Sequence, residues 1–244
     1  MIDVHCHMLP GVDDGAPSWD VALEMAEIAA KDGIRHVVCS PHANEKYAYD
    51  RARFETIVIE LRERTEGRLE FSLGCDFHFS FENVQAALAD PDPFLIGNSD
   101  YLLLEFSDYA LPRSTVDTIQ RFTAIGITPI ITHPERNLLL QRSPEQLMRL
   151  VEAGCIVQIT ANSLTGHWGE NAKRFCKSLL DRESVHIVAS DAHDPRFRPP
   201  ILSSARRIVE GSWGEDVASA LFETNPLAVI QNQTLPYLPE ARHG

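Results

Sequence analysis

The stretch SWDVALEMAEIAAKDGIRHVVCS, residues 18–40, contains one complete helix-and-strand unit. Its apolar residues recur at helical spacing, Ser18 stands where a helix N-cap is expected, and Gly33 follows where the helix should end. The next apolar run, His36–Ser40, predicts a short buried strand. A helix, a glycine and then a short apolar strand form the repeating unit of an α/β fold.

The same unit recurs along the chain and gives seven predicted strands. They are Ile2–Cys6, His36–Ser40, Leu69–Gly74, Tyr101–Glu105, Thr128–Thr132, Cys155–Ile159 and His186–Ser190. Because helical patterns separate most of them, a parallel sheet closed into a barrel is expected. An open doubly wound sheet would use the same elements, but it normally has a glycine-rich phosphate loop after its first strand, and the sequence has none there. We predict one α/β barrel domain over residues 1–244, with an irregular tail from about residue 231.

The composition disfavours several classes of function. The 244 residues include 35 acidic and 22 basic side chains, and the formal net charge of −13 disfavours binding to nucleic acid or to an anionic membrane surface. No apolar run approaches the roughly 20 residues that a membrane span needs. The N-terminal residues lack the pattern of an export signal, and five cysteines without framework spacing fit a reducing compartment. We therefore expect a cytoplasmic protein without direct membrane insertion.

Residues that can bind metals lie at or after the carboxyl ends of the predicted strands, where barrels build their active sites. His5 and His7 are two residues apart, so on a strand both side chains point to the same face. Glu105 ends an apolar run in which an unpaired charge would be costly. The full candidate set has five histidines and four carboxylates: His5, His7, Asp14, His42, Asp76, Glu105, His133, Asp191 and His193.

This donor set indicates which metals would bind. A mixture of imidazole and carboxylate ligands suits Mn²⁺, Fe or Zn²⁺ better than Mg²⁺ or Ca²⁺, which prefer oxygen. With three or four protein ligands per ion and shared carboxylates, nine ligands predict two or three divalent ions. Arg136 and Arg198 follow two of the ligand motifs closely in the sequence. Their forked donors can hold a phosphate group, so we expect both to take part in catalysis.

Five short motifs carry most of the candidate ligands and Arg136. They are His5-Cys-His7-Met-Leu-Pro-Gly-Val-Asp-Asp14-Gly, Ser40-Pro-His42, Leu104-Glu105-Phe-Ser, His133-Pro-Glu-Arg136 and Ser190-Asp191-Ala-His193. In this order, and over nearly the whole chain, they resemble the polymerase and histidinol phosphatase (PHP) superfamily. Within that superfamily they look most like the bacterial manganese-dependent protein-tyrosine phosphatases of capsular and exopolysaccharide gene clusters.

The resemblance implies a distorted seven-stranded PHP-type barrel, (β/α)7, with three metal ions, most readily Mn²⁺. By analogy, the three ions would be held by His5, His7 and Asp191, by Glu105 and His133, and by Asp14, His42 and His193. Arg136 and Arg198 would match the arginines that orient phosphate. The family has a bridging glutamate after the third strand, whereas this sequence has Asp76 there. Its side chain is one methylene shorter, which predicts loss of the bridge or weaker binding of one ion.

The resemblance also implies hydrolysis of phosphotyrosine on a protein. The implied partner is the tail of an autophosphorylating bacterial tyrosine kinase that controls polysaccharide export. Two alternatives stay open. A small-molecule phosphatase such as histidinol-phosphate phosphatase would need the same metals, and a degenerate module would bind metal or a partner without hydrolysis. The runs Pro10-Gly-Val-Asp-Asp-Gly15 and His133-Pro-Glu-Arg136 favour the tyrosine phosphatase over the small-molecule enzyme.

Overall fold

The structure is a computed structural model that describes residues 1–239. Its nine strands are β1 (Ile2–Cys6), β2 (His36–Cys39), β3 (His42–Ala43), β4 (Glu70–Leu73), β5 (Asp76–His78), β6 (Tyr101–Glu105), β7 (Thr128–Thr132), β8 (Ile156–Thr160) and β9 (Ile187–Ala189). All seven predicted strands are present, and their ends differ from the prediction by no more than one residue. The short strands β3 and β5 are additional, and both carry predicted metal ligands.

Helices follow most of the strands, as the repeating sequence unit predicts. They are α1 (Trp19–Lys31), α2 (Arg51–Arg64), α3 (Phe81–Ala89), α4 (Thr115–Ala124), α5 (Leu138–Arg142), α6 (Pro144–Glu152), α7 (Ala161–Thr165), α8 (Gly169–Asp181), α9 (Ser203–Trp213), α10 (Glu215–Ser219) and α11 (Asn225–Ile230). The first begins as predicted, because the Ser18 hydroxyl accepts a hydrogen bond from the Val21 amide at 3.4 Å. None of the described helices is long and apolar enough to cross a bilayer.

All strand pairs are parallel, and they form two sheets with the orders β1-β2-β4 and β3-β5-β6-β7-β8-β9. The chain runs on from β2 into β3 and from β4 into β5, so the same two segments pair in both sheets. Pro41 lies between β2 and β3, and it has no amide proton to donate to a β-ladder. Its carbonyl accepts a hydrogen bond from the Asp76 amide at 3.1 Å.

The first strand also contacts the segment that follows the last. The His7 amide donates to the Ala192 carbonyl, and the Asp191 amide donates to the His5 carbonyl, both at 2.8 Å. The strands therefore succeed one another in barrel order. The α/β prediction is confirmed, and over residues 1–239 the ladder is divided between two sheets rather than closed as one continuous seven-stranded barrel.

Two clusters of buried apolar side chains hold this arrangement together. The smaller includes Leu103, Ile130 and Ile187 from three strands and Val229 from α11. The larger packs the strands against the surrounding helices. Each fully buried Leu, Ile or Val contributes roughly 1.5–3 kcal/mol, which offsets the cost of burying polar ligands nearby. Leu103 and Glu105 lie on the same face of β6. This face therefore contributes an apolar side chain to the core and, at the carboxyl end of the strand, a predicted metal ligand.

Residues 231–239 form no helix or strand. They are nevertheless anchored to the strands. The Tyr101 hydroxyl donates to the Gln233 carbonyl at 2.7 Å, and Leu235 is buried. The remainder of the predicted tail, residues 240–244, lies outside the described residues.

Candidate metal centre

The structure brings all nine predicted ligands together where the strands end. They come from β1 and its following loop, from β3, β5 and β6, and from the turns after β7 and β9. Eight of them are buried or partly buried, and only Asp14 is an exposed residue. In parallel strands that succeed one another in barrel order, the carboxyl ends meet at one edge, which is why residues far apart in sequence converge here.

His5 and His7 point their Nε2 atoms at each other, 3.2 Å apart. The Gln158 Oε1 atom lies 2.9 Å from His5 Nδ1, and the Gln158 amide nitrogen donates elsewhere, to the Ile159 carbonyl. The Asp13 carboxylate lies 2.8 Å from His7 Nδ1. Because both Nδ1 atoms face acceptors, each carries a hydrogen, and when the rings are neutral the two Nε2 lone pairs face each other. A cation bound by both Nε2 atoms would satisfy this arrangement.

Asp76 lies between two groups of histidines. Its Oδ2 atom is 3.1 Å from His42 Nδ1, 3.4 Å from His5 Nε2 and 3.8 Å from His7 Nε2. Both carboxylate oxygens are buried and have no hydrogen-bond partner. A buried carboxylate without hydrogen bonds is costly unless a cation is next to it. Its position is compatible with a bridge between two ions despite the shorter side chain.

The donor atoms form three groups, in each of which all ligand atoms lie within 4.8 Å of one another. Asp76 belongs to two groups, and so do His7 and His42. The groups are His5, His7 and Asp76; His42, Asp76 and Glu105; and His7, Asp14, His42 and His193. The third group contains the three residues that the family resemblance assigns to one ion, with His7 added.

Asp191 and His133 stand outside these three groups but adjoin them. Asp191 Oδ1 is 3.4 Å from His5 Nε2 and 3.3 Å from His7 Nε2. His133 Nε2 is 3.7 Å from Glu105 Oε1. Both residues have a left-handed backbone conformation, with φ of 50° at Asp191 and 33° at His133. Residues other than glycine rarely adopt this conformation. Such backbone is typical of functional turns that aim a side chain into a site.

The ionisation of the histidines follows from their surroundings. Burial lowers the pKa of His133 to about 3, helped by the Arg136 charge, and burial beside His7 lowers the pKa of His193 to about 3. Both imidazoles are therefore neutral at pH 7, as metal ligands must be. Burial also acts to lower the pKa of His5, but the Asp76 and Asp191 carboxylates raise it to about 9. The same negative charge that favours a proton there favours a metal cation.

The two predicted arginines meet at one carboxylate oxygen. Arg136 Nη1 lies 2.5 Å and Arg198 Nη2 2.6 Å from Asp191 Oδ2. The Nε atoms of both arginines are buried and have no hydrogen-bond partner. The arginines contact Asp191 on one oxygen while its other oxygen faces His5 and His7. N–H groups that can donate to an anion therefore lie directly beside side chains that can bind cations.

Sequence reasoning missed Asp13, which it treated only as the neighbour of Asp14. Asp13 Oδ2 accepts from the His42 amide at 3.1 Å in addition to contacting His7 Nδ1, and Oδ1 accepts from the Gly15 amide at 2.9 Å. Asp14 instead points its carboxylate towards His42 and His193, at 3.4 and 3.7 Å. One aspartate therefore supports a ligand and the next faces the cation positions. A pair of adjacent aspartates after a histidine motif is the only signal in the sequence.

These residues fit a divalent metal centre. The buried carboxylate without hydrogen bonds, the facing imidazole lone pairs and the mixed nitrogen and oxygen donors each call for cations. His78 adds an imidazole at the edge, 3.4 Å from Glu105 Oε2. The individual ligand roles remain predictions, since contacts among donors do not assign them to ions.

Replacing Asp13 by alanine should weaken metal binding although Asp13 is not a predicted ligand. Without this acceptor His7 loses the hydrogen bond that fixes its tautomer and ring orientation, and we expect the affinity to fall about 10- to 100-fold. Titration of chelator-treated protein with Mn²⁺ by calorimetry measures the change. The exposed Asp20→Ala, which removes the same charge on α1, is the matched control, and equal affinities in the two variants would rule out this role.

Comparison with known proteins places the chain among relatives of similar length. Residues 1–231 match the family model described as capsular polysaccharide synthesis, CpsB/CapC. The tyrosine-protein phosphatase YwqE of Bacillus subtilis is 33% identical over 239 residues, which are 96% of this chain and 93% of that protein. The tyrosine-protein phosphatase CpsB of Streptococcus pneumoniae is 28% identical, over 96% of this chain and the whole of that protein.

Solved structures agree with these matches. A crystal structure from a study of YwqE of Bacillus subtilis and CpsB of Streptococcus pneumoniae, described as metal-dependent tyrosine phosphatases, superimposes with a TM-score of 0.91 at 33% identity. The superposition covers 99% of this chain and all of the chain in the crystal structure. A β-aspartyl dipeptidase from Fervidobacterium islandicum has a TM-score of 0.59 at 13% identity and shares the fold alone. The chain belongs to the CpsB/CapC family of capsular polysaccharide synthesis proteins.

Proposed function

We propose that the protein is a metal-dependent protein-tyrosine phosphatase that acts on a phosphorylated protein of capsule or exopolysaccharide synthesis. The observation that carries the proposal is the juxtaposition around Asp191. Its Oδ2 atom contacts the Arg136 and Arg198 guanidinium groups, and its Oδ1 atom faces His5 and His7. A phosphate ester needs donors and cations side by side, and relatives over nearly the full chain are named tyrosine-protein phosphatases.

The arginines would bind and orient the phosphoryl group. Each guanidinium has N–H donors beyond the one that contacts Asp191, and the two side chains keep 12% and 22% exposure, so these donors can meet phosphate oxygens. Asp191 holds both guanidinium groups at one point and keeps their like charges together. When bound, divalent ions would supply Lewis-acid chemistry, activating water and neutralising charge on phosphate oxygens. No nucleophilic side chain is required.

We infer two or three ions, with Mn²⁺ as the first candidate and Fe or Zn²⁺ as the others, because histidines and carboxylates contribute together. The three donor groups support this number. A kinase tail rich in tyrosine is the partner that we infer, and a cytoplasmic location stays a prediction. The five cysteines are free and buried, as a reducing compartment permits.

Five exposed hydrophobic side chains follow the strands whose carboxyl ends carry the site, and we call them the hydrophobic arc. Each follows a different strand, and β5, β6, β7, β8 and β9 are successive neighbours in one sheet. The hydrophobic arc consists of Phe81, Tyr109, Leu138, Trp168 and Phe197. Three of them are about three-quarters exposed: 75% for Phe81 and 74% for both Tyr109 and Phe197. The other large exposed hydrophobics of the described chain lie on helix surfaces, just past a helix end or in the tail.

This arrangement favours a polypeptide substrate over histidinol phosphate. Single exposed hydrophobic residues are common on protein surfaces, but one after each of five adjacent strands, in a loop or at the start of a helix, is not scattered. A phosphotyrosine in an extended chain brings neighbouring residues that can pack on these side chains. A small phosphate ester has no neighbouring residues to pack there. The hydrophobic arc therefore supports a phosphoprotein as the substrate.

Purified protein should hydrolyse a phosphotyrosine peptide in the presence of Mn²⁺, with little turnover of histidinol phosphate. Chelation should abolish hydrolysis, and Mn²⁺ should restore it, since the donor groups need cations to bind the phosphate. Phosphate release by the two substrates, together with metal analysis, measures this. Preferential turnover of histidinol phosphate would support the small-molecule enzyme, and fewer than two bound ions with no hydrolysis would support a degenerate module.

The double variant Phe81→Ser/Tyr109→Ser should lower kcat/KM for the phosphotyrosine peptide about three- to tenfold, equivalent to about 0.7–1.4 kcal/mol. Its kcat/KM for free phosphotyrosine should stay within about twofold, because the amino acid has no neighbouring residues to pack on Phe81 and Tyr109. Ile59→Ser/Ile125→Ser, which alters two other exposed residues on α2 and just past α4, is the matched control. Equal losses on peptide and amino acid, or no loss on either, would refute peptide docking on the arc.

A further inference from the structure

Trp168 emerges between the two arginines because of the strand order. Arg136 follows β7, Trp168 follows β8 and its short helix α7, and Arg198 follows β9. Since β8 lies between β7 and β9 in the sheet, its connection must leave the sheet between theirs. Gly166 and Gly169 bracket the tryptophan with φ of 98° and 85°, which allows a tight turn from α7 into α8. The turn presents the indole at the site.

The indole ring contacts both guanidinium groups. The central carbon of Arg136 lies 4.1 Å from the ring centroid, and that of Arg198 lies 5.4 Å from it. Both distances are within the range of cation–π attraction, which is strongest for tryptophan. Trp168 remains 39% exposed, whereas the side chains of Arg136 and Arg198 are 12% and 22% exposed. The ring therefore partly shields the two guanidinium groups from solvent. Its attraction to both cations also opposes their mutual repulsion.

Few other contacts fix the guanidinium groups. Each arginine has a single close contact to Asp191, and Arg136 also reaches the Thr160 hydroxyl at 3.5 Å. Contact at one carboxylate oxygen constrains the orientation of a guanidinium less than a two-point contact would. An aromatic face adds a second constraint, since guanidinium groups tend to stack on such faces. The orientation of the remaining N–H donors therefore depends in part on the ring.

We propose that Trp168 is a positioning residue that holds the Arg136 and Arg198 guanidinium groups in the orientation that binds a phosphate group. The inference rests on the proposed function, in which these arginines orient the phosphoryl group. It assigns to the connection after β8 a role that needs no contact between Trp168 and the substrate. An aromatic ring at this position is required, and an aliphatic side chain of similar size cannot replace it.

The test compares Trp168→Leu, Trp168→Phe and wild-type protein, all loaded with Mn²⁺. Binding of inorganic phosphate is measured by calorimetry, alongside kcat/KM for a phosphotyrosine peptide, metal content and melting temperature. The leucine variant should bind phosphate about 3- to 30-fold more weakly, the strength of a partly desolvated cation–π contact, with unchanged metal content. The phenylalanine variant should stay within about threefold of wild type. If the leucine variant fails to fold, Trp168→Met supplies the same comparison.

Trp19→Leu is the matched control, because the Trp19 ring packs against Arg64 at 4.4 Å on the surface between α1 and α2. It should bind phosphate as the wild type does. Wild-type affinity in Trp168→Leu, or an equal loss in the leucine and phenylalanine variants, would overturn the inference. Because phosphate binding is read separately from hydrolysis, a wild-type protein that binds phosphate without cleaving phosphotyrosine would refute the proposed function and leave this comparison valid.

Discussion

Buried electron-pair donors that face one another are the constraint on which the site depends. The Nε2 atoms of His5 and His7 are 3.2 Å apart, and both oxygens of Asp76 are buried without hydrogen bonds. Gln158 and Asp13 accept from the opposite ring nitrogens and so hold the lone pairs inward. Divalent cations would satisfy the whole set at once, which is why we expect the strand ends to pack around metal ions.

The net charge of the whole chain and the local charges at the site have different consequences for anion binding. A net charge of −13 disfavours a general binder of polyanions, and that conclusion stands. At the site, however, Arg136 and Arg198 share Asp191, and the carboxylates around them are placed to hold cations. An acidic protein can therefore bind one phosphate group at a single place. We expect binding there to depend on the metal load and not on the surface charge.

Local patterns made much of the fold predictable. Helix periodicity, glycines at helix ends and apolar runs identified seven strands, and the strand ends pointed to nine candidate ligands and two arginines that the structure brings together. Which of two adjacent aspartates would turn towards His7 depends on the path of a loop, so Asp13 was missed. The proximity of Trp168 to both arginines depends on the order of β7, β8 and β9 in space. The left-handed backbone of His133 and Asp191 has no signature in a single sequence.

The central claim is that the nine predicted ligands hold two or three divalent ions, with Asp76 placed where it can contact two of them. Anomalous scattering from crystals of the Mn²⁺-loaded protein, measured on both sides of the manganese absorption edge, counts the ions and locates them. We expect at least two peaks, with one Asp76 oxygen in the coordination sphere of each of two ions. A single ion, or two ions that Asp76 does not contact, would contradict the claim.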